Sequence, residues 1–133
     1  MNKNDFLSVA IRIFIIFCIL SVLDIIYISL TYKFLFENVL KKINNTSHPT
    51  LRYWSVLLFY LISSIGFYFF LIRENKSTLY CFLFGFWVYL FYEITNYSII
   101  EAWNLKIVMI DSLWGGVLFS LINLIFRKIE SYL

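Results

Sequence analysis

The stretch FLSVAIRIFIIFCILSVLDIIYISL, residues 6–30, decides the class of fold. Across these 25 residues only Arg12 and Asp24 are charged. About 30 Å of hydrocarbon takes roughly 20 helical residues to cross, so the run is long enough to span a bilayer. A cleaved leader would need a small-x-small site after a shorter apolar core, and none follows Lys3 and this run, so it reads as a retained span.

Working outward, three more apolar runs of spanning length follow, at about 53–72, 78–100 and 107–126. With 62% of 133 residues hydrophobic and 14% charged, a soluble domain of this size has nowhere to hide its apolar surface. Backbone polar groups inside a bilayer must be satisfied within each segment, and the alternation of a membrane barrel is missing, so the runs are helices. No linker or shift of composition divides the chain. The expectation is one all-α domain over residues 1–133, an integral membrane four-helix bundle.

Between the first two spans, Tyr32, Leu35, Phe36, Val39, Leu40 and Ile43 recur at helical spacing, while Lys33, Glu37, Lys41 and Lys42 take other faces. That pattern predicts a short amphipathic helix lying in the interface. Asn44 to His48 break it, and Pro49 suits the first turn of the next span. The loops at 73–77 and about 101–106 are short and make consecutive spans antiparallel, with both termini on one side. Six of the 11 basic residues then lie on the terminal side and five opposite, a split that leans to cytoplasmic termini. The acceptor patterns at Asn44-Asn45-Thr46-Ser47 and Asn75-Lys76-Ser77 fall on opposite sides and do not decide orientation.

Several function classes drop out. Nucleic-acid binding needs a basic stripe on a soluble face, which is missing. His48 is the one histidine, which excludes zinc sites built from His and Cys clusters and argues against Ser-His-Asp catalysis. Cys18 and Cys81 fall in mid-span and read as small packing groups. Nothing in the sequence calls for a metal or a cofactor.

Three carboxyls remain inside the apolar runs: Asp24, Glu93 and Asp111. Counting at 1.5 Å per residue puts each roughly 8–10 Å inside the membrane, on the side away from the termini. An ionisable group there costs about 2.5 kcal/mol or more, and such residues mark sites and pathways. On the third span Cys81, Gly85, Tyr89, Glu93 and Asn96 share one face; on the fourth, Ser112, Gly116 and Ser120 repeat every fourth residue beside Asp111 and Gly115. Ser21, Asp24, Tyr27 and Thr31 make a comparable face on the first span, and Tyr60 and Arg52 of the second are placed to close the space. The small-residue stripe reads as close helix packing, and Trp103 as an anchor at the membrane surface. Three carboxyls in one low-dielectric layer would not all carry charge, and a neutral acid beside an ionised one supplies a proton donor and an acceptor together.

Leu23-Asp24 with Tyr27, then Tyr92-Glu93-Ile94-Thr95-Asn96, Trp103 and Asp111-Ser112-Leu113-Trp114-Gly115 resemble a group of small, mostly bacterial membrane proteins, domain-of-unknown-function family 2177. The resemblance covers Leu23 to about Leu118. It implies a four-span membrane protein whose distinctive residues include Asp24, Glu93, Asn96, Asp111 and Trp114, and it brings no activity with it. Glu93 stands where the family more often has Asp, and Tyr27 where it more often has Trp, so the pocket would differ in size.

The expected function is binding of a lipid-like or small amphiphilic ligand in an acid-lined intramembrane pocket, with membrane lipids as surroundings. Glu93 and Asp111 would fix a polar head, with Asp24 also in the site, Asn96 would hydrogen-bond it, and Tyr27 and Trp114 would cover an apolar body. One alternative is an enzyme that moves a proton with Glu93 and Asp111. Another is proton- or cation-coupled transport, for which so short a chain would form a homodimer. In the plainest alternative the acids only hold the helices together.

Overall fold

The computed structural model describes residues 3–45 and 50–133, so His48 and Pro49 lie outside it, as does part of the first glycosylation pattern. Within those residues the protein is entirely helical. Helix α1 (Lys3–Thr31) passes through a wide π-type turn (Tyr32–Phe36) into α2 (Glu37–Asn44), which ends where Asn45 enters the left-handed region at φ 54°. Helix α3 (Tyr53–Phe67) finishes in a second wide turn, Tyr68–Ile72; α4 (Thr78–Ile99) and α5 (Leu105–Glu130) complete the bundle. Four segments are long and apolar enough to cross a membrane: Asp5–Asn44, Tyr53–Ile72, Thr78–Ile99 and Leu105–Glu130. They contain the four runs expected from sequence, apart from a residue at the end of the third.

The connection after the first span differs in form. The amphipathic segment is continuous with α1, giving a helical stretch of 40 residues. At 1.5 Å per residue it measures about 60 Å, twice the hydrocarbon thickness. No Pro or Gly stands between Thr31 and Asn44 to break it. Leu35 and Val39 from this extension are buried against Ile107, with Trp103 and Ile110 beside them, so it covers the start of α5.

Helix α5 is the centre of the bundle: half of its most apolar stretch is buried, against 11% for the first span. Its closest neighbour is α4, because glycines face each other across the contact; a Cβ placed on Gly115 would stand 2.7 Å from the Gly85 carbonyl oxygen. Toward the chain ends, Ile16, Leu20, Leu71, Cys81, Leu118, Ile122 and Phe126 form the main apolar core. The Leu35–Val39–Ile107 cluster is a smaller one toward the opposite end. Between these two the acids are found. Cys81 is buried in the main core and Cys18 is exposed, both as free thiols.

The short loops are tied by side chains. Ser77 caps α4 by accepting from the Tyr80 amide at 3.2 Å, and Asn104 caps α5 by accepting from Ile107 at 3.1 Å. Arg127 donates to Asn123 at 3.0 Å, to Asn75 at 2.9 Å and to the Lys76 carbonyl at 2.8 Å, pinning the 73–77 loop to α5. Hydrogen bonds from a charged donor to exposed groups stabilise modestly. Arg127→Ala is therefore expected to cost only about 1 kcal/mol while freeing the loop, so limited proteolysis should cut there at least several-fold faster. Unchanged cleavage would mean that Arg127 does not hold the loop.

Candidate functional site

Asp24 lies on the inward face of α1, one turn beyond buried Leu20, and is only 7% exposed. Its two oxygens have separate donors: the Tyr60 hydroxyl gives to Oδ2 at 2.9 Å and the Trp114 indole N–H to Oδ1 at 3.2 Å. Asp24 thus ties α1 to both α3 and α5.

A reciprocal arrangement follows from chain direction. Residues three apart share a helix face, so Asp24 and Tyr27 stand together on α1, as Asp111 and Trp114 do on α5. The two helices run in opposite directions, which sets each acid level with the other helix's aromatic residue. Trp114 donates to Asp24, and the Tyr27 hydroxyl donates to Asp111 Oδ1 at 2.8 Å. The two rings stack between them, 4.4 Å apart and within 5° of parallel. By helix rise Asp24 stands about one turn from Asp111 along the bundle.

Glu93 occupies the inward face of α4 and is wholly buried. The Trp103 indole donates to its Oε2 at 2.6 Å. Its other oxygen, Oε1, is buried without a hydrogen-bond partner, and Asp111 of α5 is its acidic neighbour. Two acids brought together in this way repel one another when both are ionised.

Trp103 was expected at the membrane surface as an anchor; instead its indole turns inward onto Glu93 and packs beside the Leu35–Val39–Ile107 cluster. Its place in a short loop, ten residues after Glu93, carries no periodic signal that would have revealed this. Tyr60 joins the site as expected, whereas Arg52 is exposed at the start of α3. Asn96 is half-buried, and it is its backbone carbonyl that is engaged, by the Ile100 amide. The Thr31 hydroxyl returns to the Tyr27 carbonyl at 2.7 Å.

Asp24, Tyr27 and Asp111 form one wall of a cavity of about 420 Å³. Phe36, Phe59, Tyr89 and Tyr92 supply most of the remaining wall, with Ile28 and Val88. Ile28, Phe59, Val88 and Tyr92 are 42–61% exposed, so the rim is apolar and faces outward at a depth that lipid would occupy. A larger groove of about 680 Å³ between α1 and α3 is lined by apolar side chains, Phe14, Phe17 and Leu61 among them, with the Trp54 indole as its one side chain able to hydrogen-bond. It offers no charged group to orient a polar head.

One family model matches residues 9–126, with the description "Predicted membrane protein (DUF2177)". No curated protein and no solved structure matches the chain.

Proposed function

The chain belongs to the DUF2177 family of predicted membrane proteins, and from that premise we propose that it binds a lipid-like or small amphiphilic molecule in the cavity beside Asp111. The single observation that carries this reading is the cavity's make-up: two carboxyls at the back and exposed apolar residues at the rim. A pocket with a few polar groups in an otherwise apolar lining orients a ligand by its head and holds it by its body. The outward rim lets such a molecule enter sideways from the bilayer.

In this reading Asp111 meets the head group, Tyr27 holds Asp111 in place, and Trp114 braces Tyr27. Glu93 backs Asp111 from α4, and Asn96, about one turn along α4 and outside the cavity wall, would hydrogen-bond a head group that reaches past Asp111. The α2 extension, with Lys41 and Lys42 on its polar side, would lie among head groups, and both termini would face the cytoplasm.

A second reading starts from the neighbouring acids Glu93 and Asp111. An acid pair beside a cavity, with one member neutral and one ionised, is what a membrane enzyme needs to protonate one face of a substrate and deprotonate another. It is also what a proton-coupled carrier needs, in which case the working unit would be a homodimer.

Native mass spectrometry of protein released from nanodiscs tests the first reading, with wild type beside Asp111→Asn. A defined adduct on the wild type, reduced at least about fivefold on the variant, is the expected result. If neither protein carries an adduct and both melt alike, ligand binding is wrong and proton movement takes its place.

A further inference from the structure

We propose that the cavity takes the cationic head of an amphiphile, an ammonium group on an apolar chain, with Asp111 as counter-charge and aromatic rings as walls. The proposal rests on the ligand-binding reading above and names the class of ligand.

Charge balance is the first argument. Asp24, Glu93 and Asp111 are each held by neutral donors: Tyr60 and Trp114, Trp103, and Tyr27 respectively. Among the described residues the one ion pair joins Arg12 to Glu130, at the terminal end of the bundle, and no lysine or arginine reaches the three acids. Carboxylates withdrawn from water need a counter-charge or a proton.

The second argument is which oxygens are left over. Asp24 has both oxygens filled and belongs to the frame. Asp111 has one oxygen held by Tyr27, and its carboxyl forms part of the cavity wall. Behind it Glu93, with no exposed surface, keeps Oε1 without a donor. A positive group in the cavity would neutralise Asp111 directly.

The third argument is what the walls would accept. Tyr27, Phe36, Phe59, Tyr89 and Tyr92 present rings to a space of about 420 Å³, and ring faces attract cations, ammonium groups above all. No lysine, arginine or amide side chain is among the lining residues, so a phosphate or sulfate head would meet Asp24 and Asp111 with nothing to offset the repulsion. A bare metal ion would want several oxygen ligands at once, and no three ligating side chains converge among the described residues. A large organic cation fits this set. Its chain would leave between Phe59 and Tyr92, past the apolar rim.

The full-length protein in non-ionic maltoside micelles is titrated with dodecyltrimethylammonium, dodecyl sulfate and dodecanol, read by tryptophan fluorescence against empty micelles. The cation is expected to bind about tenfold or more tighter than dodecanol. Asp111→Asn should erase that difference. Tyr92→Leu, at the rim and outside the hydrogen-bonded frame, should keep the wild-type melting temperature and weaken the cation alone by about three- to tenfold.

Dodecanol or dodecyl sulfate binding as tightly as the cation would overturn the head-group class while leaving a ligand pocket in place. No saturable binding by any of the three would overturn the pocket itself. Should Asp111→Asn fail to fold, Tyr92→Leu decides: unchanged affinity for the cation would refute the proposal.

Discussion

Gly85→Ala is expected to destabilise the protein by about 3 kcal/mol, while the same change at Gly66 costs nothing. The added methyl is identical; only its surroundings differ. At Gly85 a Cβ would stand 2.6 Å from Phe119 Cγ and run into the Gly115 carbonyl oxygen. One obstacle is backbone, which has no rotamer to change, so α4 and α5 must move apart. At Gly66 the nearest atom is Phe70 Cδ2 at 3.9 Å, an ordinary contact. Since alanine favours a helix over glycine by about 1 kcal/mol, Gly66→Ala should be neutral or slightly stabilising. Thermal unfolding in one detergent measures both, and the loss at Gly85 would take a large part of a typical stability of 5–15 kcal/mol. Equal melting temperatures for the two variants would show that the glycine contact does not set the helix spacing. Separation of α4 from α5 would also part Glu93 from Asp111.

Asp24→Leu should be the most damaging change among the acids. It strands two donors, the Tyr60 hydroxyl and the Trp114 indole N–H, both of which now end on the carboxyl. A buried donor without an acceptor costs about 1–3 kcal/mol. Measured hydrogen bonds inside membranes average lower, about 0.6 kcal/mol, so a total of roughly 2–3 kcal/mol is expected. The amide is no remedy here. Asn offers one acceptor and sets its own N–H₂ against the second donor, so Asp24→Asn should cost about 1–2 kcal/mol. Asp111 differs, because its neighbour Glu93 has an oxygen seeking a donor. Asp111→Asn can supply that N–H and should be the milder change. Adding Tyr60→Phe removes one of the two competing donors and should recover part of the Asp24→Asn loss. Equal tolerance of both amides in thermal unfolding would contradict this division between frame and cavity wall.

The spans were legible because an unbroken apolar run has one reading once it reaches membrane length, and Tyr53–Ile72 agrees to the residue. The acids were legible for the opposite reason, as the residues that such a run tolerates least. That Asp24, Tyr27, Asp111 and Trp114 come together could be suspected from their shared faces, but the cross-pairing needed the antiparallel register. The continuity of α1 with α2 had one mark, the absence of Gly and Pro from Thr31 to Asn44, but the change from an apolar run to amphipathic spacing reads equally as the start of a separate helix. Phe59 was indistinguishable from lipid-facing bulk, as rim residues in a membrane protein are, and Tyr92 stood out only within the motif that carries the family resemblance. Trp103 was misread because an aromatic residue at a span boundary is ordinarily an anchor, and only tertiary packing turns it onto Glu93.

The way Asp24 is shared between α3 and α5 has a consequence for how the chain is made. Tyr60 follows Asp24 by 36 residues and Trp114 by 90. At about 5–20 residues per second, ribosomes supply the first partner within roughly 2–7 s and the second only after roughly 5–18 s. In that interval the newborn first span holds an acid in the membrane with one of its two donors in place. Tyr60 is then the residue that keeps the unfinished protein tolerable to the bilayer, and its loss would weigh more heavily on yield during synthesis than on the finished molecule.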